Sequence, residues 1–179
     1  MTHELLAAGF GGQGVMAIGK LIAEAAVAQG MNATWLPTYG AEVRGGVANC
    51  CCVLTEGEVV SPVVVEPNEL ILMNEPSFHK YLPMAAPGAL VLVNSSIVSE
   101  RVEGDRRAVY VPCVAIADEL GSAKTANMAM VGAYAAATGY LKEETLEELL
   151  RGMFTGPKAA LVERNMQAMR RGAECVVRG

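Results

Sequence analysis

The sequence predicts an α/β fold: a mostly parallel central sheet covered by helices on both faces, with a β-hairpin and a helical C-terminal third. Three observations carry this reading. The stretch Gly9-Phe10-Gly11-Gly12-Gln13-Gly14-Val15 follows a short apolar run, Leu5-Leu6-Ala7-Ala8, and opens a run with Val15, Ile18, Ile22 and Ala25 at helical spacing. A strand, a glycine turn and a helix within about thirty residues make the opening of a βαβ unit. Three wholly apolar runs then alternate with helical segments, at residues 70–73, 89–93 and 108–111. Such runs belong to parallel strands buried on both faces. Finally, residues 125–176 carry three successive apolar stripes at helical spacing. The architecture is three-layer α/β/α and Rossmann-like. At 179 residues the chain reads as a single domain over 1–179.

Taken in order, the first strand is centred on Leu5-Leu6-Ala7-Ala8, and the first helix runs to about Gln29 with Gly30 just past its end. A second strand covers residues 32–36. Residues 38–46, Thr38-Tyr39-Gly40-Ala41-Glu42-Val43-Arg44-Gly45-Gly46, are too glycine-rich for a helix. A third strand follows over 47–54. Glu56-Gly57 is a turn from which Val59-Val60 returns as a hairpin. Pro62 and Pro67 bracket Val63-Val64-Val65 and confine it to an edge or crossing position. The apolar strands end at Asn74-Glu75-Pro76, Asn94-Ser95-Ser96 and Pro112-Cys113. A short helix is expected over 76–83, a turn at Pro87-Gly88 and an exposed charged segment over 102–107. In the C-terminal third, Met128, Val131 and Ala135 mark one helix, with Gly132 and Ala136 placed for close helix contact. Leu146, Leu149, Leu150 and Met153 mark the next. Val162, Met166, Met169, Ala173 and Val176 mark the last.

Composition narrows the function. Hydrophobic residues make up 52% and charged residues 18%, which fits a folded chain with buried surface between subunits or a large core. No apolar stretch has the length of a membrane span, and Met1-Thr2-His3-Glu4 has no basic segment of a signal peptide, so the expected compartment is the cytoplasm and no membrane partner is expected. A net charge of −5, with no basic block before the last helix, argues against nucleic acid as a partner. Arg170 and Arg171 are read as complementing a helix C-terminal dipole. The five cysteines are Cys50, Cys51, Cys52, Cys113 and Cys175. Adjacent cysteines do not supply the spaced ligands of an iron–sulfur site, so they are read as small buried hydrophobes. His3 and His79 stand in no ligand motif. No metal site is expected.

In an open α/β sheet the working edge lies at the carboxyl ends of the parallel strands. If the first, second and fourth to sixth strands are parallel, that edge gathers Gly11, Gly12, Gln13 and Gly14 from the first turn. It also gathers Tyr39, Glu42, Arg44, Gly45 and Gly46 from the second loop, Asn74 after the fourth strand and Ser95 after the fifth. A helix N-terminus and Arg44 give the edge positive character, suited to an anionic group or a charged loop of a partner. These are cofactor-binding or interface candidates. No catalytic residue is assigned, because no nucleophile–base pair occurs, and the two carboxylates near the edge, Glu42 and Glu75, read equally well as salt-bridged or solvated. Gly9, Gly11 and Gly14 also satisfy the G-x-G-x-x-G dinucleotide pattern. That pattern needs an acid at the end of the second strand, and Pro37-Thr38 stands there instead. A free-standing dinucleotide-dependent oxidoreductase is therefore the weaker alternative, and no tight binding of a nicotinamide dinucleotide is expected. A purely structural chain is the third.

The glycine turn at residues 9–15 and the loop at residues 38–46 together resemble the gamma subunit of 2-oxoacid:ferredoxin oxidoreductases. Lys124-Thr125-Ala126-Asn127-Met128 and Glu163-Arg164-Asn165-Met166-Gln167-Ala168 add to the resemblance, which covers nearly the whole chain. Ala41 stands where the family often has Pro. The resemblance implies a subunit of a complex that decarboxylates a 2-oxoacid with thiamine diphosphate and Mg2+. Electrons pass through 4Fe–4S clusters to ferredoxin, and the acyl group goes to coenzyme A. It implies alpha and beta partners, with a ferredoxin-like delta subunit in some complexes. The lack of spaced cysteines and of any acid–base pair predicts that the isolated chain is inactive and carries no cluster. The loop over residues 39–46 is of the 2-oxoglutarate or branched-chain type. The beta-type subunit of indolepyruvate oxidoreductase, which has a His-Gly-x-x-Gln-Arg-Gly-Gly sequence there, is the alternative within the family.

Overall fold

A computed structural model describes residues 2–38 and 47–177. The chain runs β1 (Thr2–Phe10), α1 (Val15–Ala28), β2 (Asn32–Thr38), β3 (Val47–Thr55), β4 (Glu69–Leu72), α2 (Glu75–Tyr81), β5 (Leu90–Asn94) and β6 (Arg107–Val111). It ends in α3 (Cys113–Glu119), α4 (Ala126–Thr138), α5 (Glu143–Met153) and α6 (Ala160–Val177). No helix among the described residues is long and apolar enough to cross a membrane.

The six strands form one sheet in the order β2-β3-β1-β4-β5-β6. β4, β5 and β6 run parallel to β1, while β3 is antiparallel to both of its neighbours. β2 therefore points the same way as β1 although β3 lies between them. The five expected parallel directions are present, and the antiparallel hairpin is β2–β3. The hairpin expected at Val59-Val60 is absent, because β3 already has β2 on one edge and β1 on the other. A returning strand has no free edge to pair with, and residues 56–68 cross without joining the sheet.

One face of the sheet carries Leu5, Ala7, Ile71 and Leu92 against α1, α4 and α6. The other carries Leu6, Ala8, Leu70, Leu72, Val91 and Val93 against Phe78 and Tyr81 of α2. Successive strand residues point to opposite faces, so β1, β4 and β5 are apolar throughout. Cys50 and Cys52 face α1, where their thiols donate to the carbonyls of Val15 at 3.5 Å and Gly19 at 3.4 Å. A Cβ at Gly19 would lie 2.4 Å from Cys50 Sγ, so small residues on both sides set the spacing. Cys113 is buried as well, whereas Cys51 and Cys175 are only half-buried. Among the described residues no group of three or more His, Cys, Asp or Glu side chains comes together as a metal site.

Two expectations for the last third are corrected. Ala136 is exposed; the close approach is made by Gly132 of α4 against α6 and by Gly172 of α6 against α4. Arg170 and Arg171 do not serve a helix terminus. Arg170 Nε bonds Glu143 at 2.7 Å, and Arg171 bonds Glu119 at 2.6 Å, so they tie α6 to α5 and α3. The short α3 was not foreseen. Seven residues show too little periodicity to announce a helix, and part of its start is held from elsewhere: Ser96 Oγ accepts from Val114 N at 3.1 Å and Ala115 N at 3.3 Å.

At the amino ends of β1 and β4 lies a buried polar cluster. His3 Nδ1 is 2.6 Å from Glu69 Oε1, the Tyr134 hydroxyl donates to Glu69 Oε2, and the Tyr134 and Tyr140 hydroxyls share a hydrogen bond. Burial, then the Glu69 charge, pushes both phenols well above the ordinary tyrosine range. Above pH 10 the unfolded chain releases these two protons while the folded chain keeps them. The folded state then binds more protons, so its stability falls as pH rises, by about 1 kcal/mol for each tyrosine between pH 10 and 11 and toward a limit of about 1.4 kcal/mol per pH unit. Denaturant unfolding between pH 10 and 11 is expected to show this slope. Tyr134→Phe should remove one proton's share of it; an unchanged slope would contradict the assignment.

Candidate functional site

The carboxyl ends of β1, β4 and β5 are stitched together by three side-chain amides. Gln13 Oε1 accepts from Phe10 N at 2.7 Å and from Asn74 Nδ2 at 3.0 Å, while Gln13 Nε2 donates to the Met73 carbonyl at 3.1 Å. Asn94 Nδ2 donates to the same carbonyl at 3.2 Å. Asn74 turns its own oxygen to Ser77 N at 2.9 Å and so caps α2. The glycine turn is thus fastened to β4, and β4 to β5, by side-chain amides.

Above these bonds lies a cavity of about 430 Å³. Gly12, Gln13 and Gly14 form one wall, Met73 and Asn94 the floor, and Val114 and Ala117 of α3 a second wall. Lys124, Ala126 and Asn127 close it at the start of α4. Gly14 is the residue before α1 and has φ +73°, a left-handed conformation that glycine adopts without strain. A Cβ there would lie 2.5 Å from Asn127 Nδ2, so glycine also admits Asn127 to the wall. The free N–H groups of α1's first turn begin at this wall. Gly11 has no such internal cause: its φ is ordinary and nothing lies within 4 Å of where its Cβ would be.

Lys124 is the one charged residue among the described residues lining the cavity. A lysine, a helix N-terminus and three carboxamides, with apolar Met73 and Val114 beside them, suit an anionic group on a partly apolar ligand. Among the described residues the set holds no carboxylate, histidine or nucleophile–base pair, and it suits the binding and orientation of such a group.

The structure gathers Gly12, Gln13 and Gly14 as expected and places Asn74 directly behind them. Gly11 is exposed at the rim. Ser95 does not reach the cavity; it is exposed, and its backbone N–H donates to Val111 at 3.0 Å. Glu75 accepts from Ser99 Oγ at 3.3 Å instead of joining the edge. Tyr39, Glu42, Arg44, Gly45 and Gly46 lie outside the described residues. Asn94, Lys124 and Asn127 were missed as site residues. Asn94 ends a predicted strand at the working edge, and Lys124 and Asn127 stand in the stretch that carries the family resemblance, so a signal was there.

The topology also weighs against the dinucleotide reading. That site needs the second strand beside the first, with its terminal acid near the glycine turn. Here β3 intervenes, so the end of β2 lies two strand spacings, about 9.5 Å, from β1.

Comparison with known proteins agrees with this geometry. A family model described as pyruvate ferredoxin/flavodoxin oxidoreductase matches residues 4–175. The ketoisovalerate oxidoreductase subunit VorA of Methanothermobacter thermautotrophicus is 38% identical over 169 residues, 93% of this chain and 35% of the relative. The chain therefore spans about a third of the length of that relative. The 2-oxoglutarate synthase subunit KorC of the same organism is 31% identical over 187 residues, covering 100% of this chain and 97% of the relative. The crystal structure of the keto/oxoacid ferredoxin oxidoreductase gamma subunit from Geobacter sulfurreducens superposes with a TM-score of 0.84 at 26% identity, covering 99% of both chains.

Proposed function

The chain belongs to the pyruvate ferredoxin/flavodoxin oxidoreductase family, and from that premise we propose that it is the gamma-type subunit of a 2-oxoacid:ferredoxin oxidoreductase complex. Its part is to help assemble the complex and to border the coenzyme A side of the reaction. The partners are the alpha and beta subunits and, in complexes that carry one, a ferredoxin-like delta subunit, with ferredoxin as electron acceptor. The observation that carries the reading is the cavity at the carboxyl end of β1, β4 and β5, with Lys124 and the start of α1 at its walls and no carboxylate among the described residues that line it.

The residues fit a phosphorylated, partly apolar ligand such as coenzyme A. Lys124, Gln13, Asn127 and the amides after Gly14 would receive an anionic group, and Met73 and Val114 would pack its apolar part. Bound coenzyme A would supply the thiol that accepts the acyl group. Tyr39, Glu42, Arg44, Gly45 and Gly46 are proposed to complete the site or its interface. The cysteines fit no cluster: Cys50 and Cys52 are spent against α1, and Cys113 is buried, which pushes its thiol up to about 12. We accordingly assign thiamine diphosphate, Mg2+ and the 4Fe–4S clusters to the partner subunits. The loop at residues 39–46 and the ketoisovalerate and 2-oxoglutarate relatives support a branched-chain 2-oxoacid or 2-oxoglutarate as substrate.

The test is an assay of the co-purified complex over pyruvate, 2-oxoglutarate, 2-oxoisovalerate and indolepyruvate, with coenzyme A and ferredoxin. The highest kcat/KM is expected for 2-oxoisovalerate or 2-oxoglutarate, and none for the chain alone. Turnover by the chain alone, or a preference for indolepyruvate, would contradict the proposal.

A further inference from the structure

Residues 56–68 are an unusual stretch. Thirteen consecutive residues form neither helix nor strand, a length at which loops in compact domains generally have a function. Their apolar side chains point outward: Val60 is 98% exposed, Val65 74% and Val63 56%. These are three of the ten exposed large hydrophobic residues among those described, within six positions. Val59 is half-buried, Pro67 is buried, and Val64 turns inward with its backbone against the Cys51 thiol on the α2 face of β3. Cys51 is in register with Leu36 of β2, which is 42% exposed. β2 is the edge of the sheet. The valine segment thus presents an apolar surface beyond β3, on the side of the sheet opposite α1, α4 and α6.

We propose that this face docks the companion polypeptide that corresponds to the remaining two thirds of the longer ketoisovalerate oxidoreductase relatives. The inference rests on the complex proposed above. The same module occurs as about a third of a longer chain and as nearly the whole of a short one. Where it is a separate chain, its companion must be held by non-covalent contact alone. Such contacts have an apolar centre and a polar rim. Val60, Val63 and Val65 supply the centre. The charged residues of the segment, Glu56, Glu58 and Glu66, are exposed and all acidic, so the companion's matching surface is apolar with a Lys/Arg rim.

The experiment uses the chain and this companion polypeptide from the same organism, measured as a dissociation constant and by recovery of the complex. Val60→Asp/Val65→Asp is expected to fold normally and to weaken association by roughly tenfold or more. Val27→Asp, at a 55% exposed position on α1, should change neither. Glu58→Lys should weaken association most at low salt. In the unmodified chain, amide exchange over residues 57–66 should slow on complex formation, a readout that needs no variant. Equal affinity for the double variant, an equal loss with Val27→Asp, or unprotected amides would overturn the docking surface while leaving the family complex intact. Failure of the unmodified chain to bind the companion would overturn both. Loss of self-association in the double variant, with companion binding unchanged, would assign the face to a second copy and likewise overturn the inference.

Discussion

Gly132→Ala is expected to lower the melting temperature by roughly 4–8 °C. α4 and α6 touch through their backbones: a Cβ at Gly132 would sit 1.9 Å from the Met169 carbonyl oxygen, and one at Gly172 would sit 1.8 Å from that of Ala129. No rotamer change relieves a clash with backbone, so the helices must move apart and loosen the buried Val131, Met166 and Met169. Overpacking of this kind costs about 3 kcal/mol, and alanine returns about 1 kcal/mol in helix propensity. The balance is about 2 kcal/mol of destabilisation, and in a chain of this size each kcal/mol is worth roughly 2–4 °C. Gly152→Ala, in α5 with nothing within 4 Å, should act in the opposite sense and stabilise by about 0.5–1 kcal/mol. Thermal unfolding of both variants checks the pair; equal shifts would show that the helix contact is looser than described.

Much of the fold was legible because its signals are local. The apolar runs at 70–73, 89–93 and 108–111 became β4, β5 and β6, and Gly30 ended α1 as its position indicated. What failed depended on distant residues. Nothing near Val47 announces that β3 inserts between β1 and β2, and that insertion is what removes the edge a return strand at Val59-Val60 would need. Gly132 is a contact residue, but it meets the backbone of Met169 on α6, and the second close approach is Gly172 against Ala129 rather than anything at Ala136. Arg170 and Arg171 likewise find their acids on α5 and α3.

The site divides the same way. Gln13 and the glycines declare themselves because turn and helix are contiguous in sequence. Lys124 and Asn127 reach the cavity only because α4 begins beside the glycine turn. Ser95 fails for the converse reason: it follows β5 in sequence, but it is the last residue of the strand, Asn94, that lines the cavity.

Lys124→Met in the assembled complex tests the central claim most directly. Methionine keeps an unbranched, apolar side chain of similar length and removes the charge, the only one among the described residues lining the cavity. A hydrogen bond to a charged group contributes about 1.5–3 kcal/mol, or one to two decades in affinity at about 1.4 kcal/mol per decade. Lys124 is exposed, so the lower end applies, roughly tenfold. The measurement is KM for coenzyme A and for the 2-oxoacid in the same preparation. A rise of about tenfold in the coenzyme A KM, with the 2-oxoacid KM and subunit recovery unchanged, is the predicted result. An unchanged coenzyme A KM, or an equal rise in both, would contradict the claim that this cavity borders the coenzyme A side of the reaction.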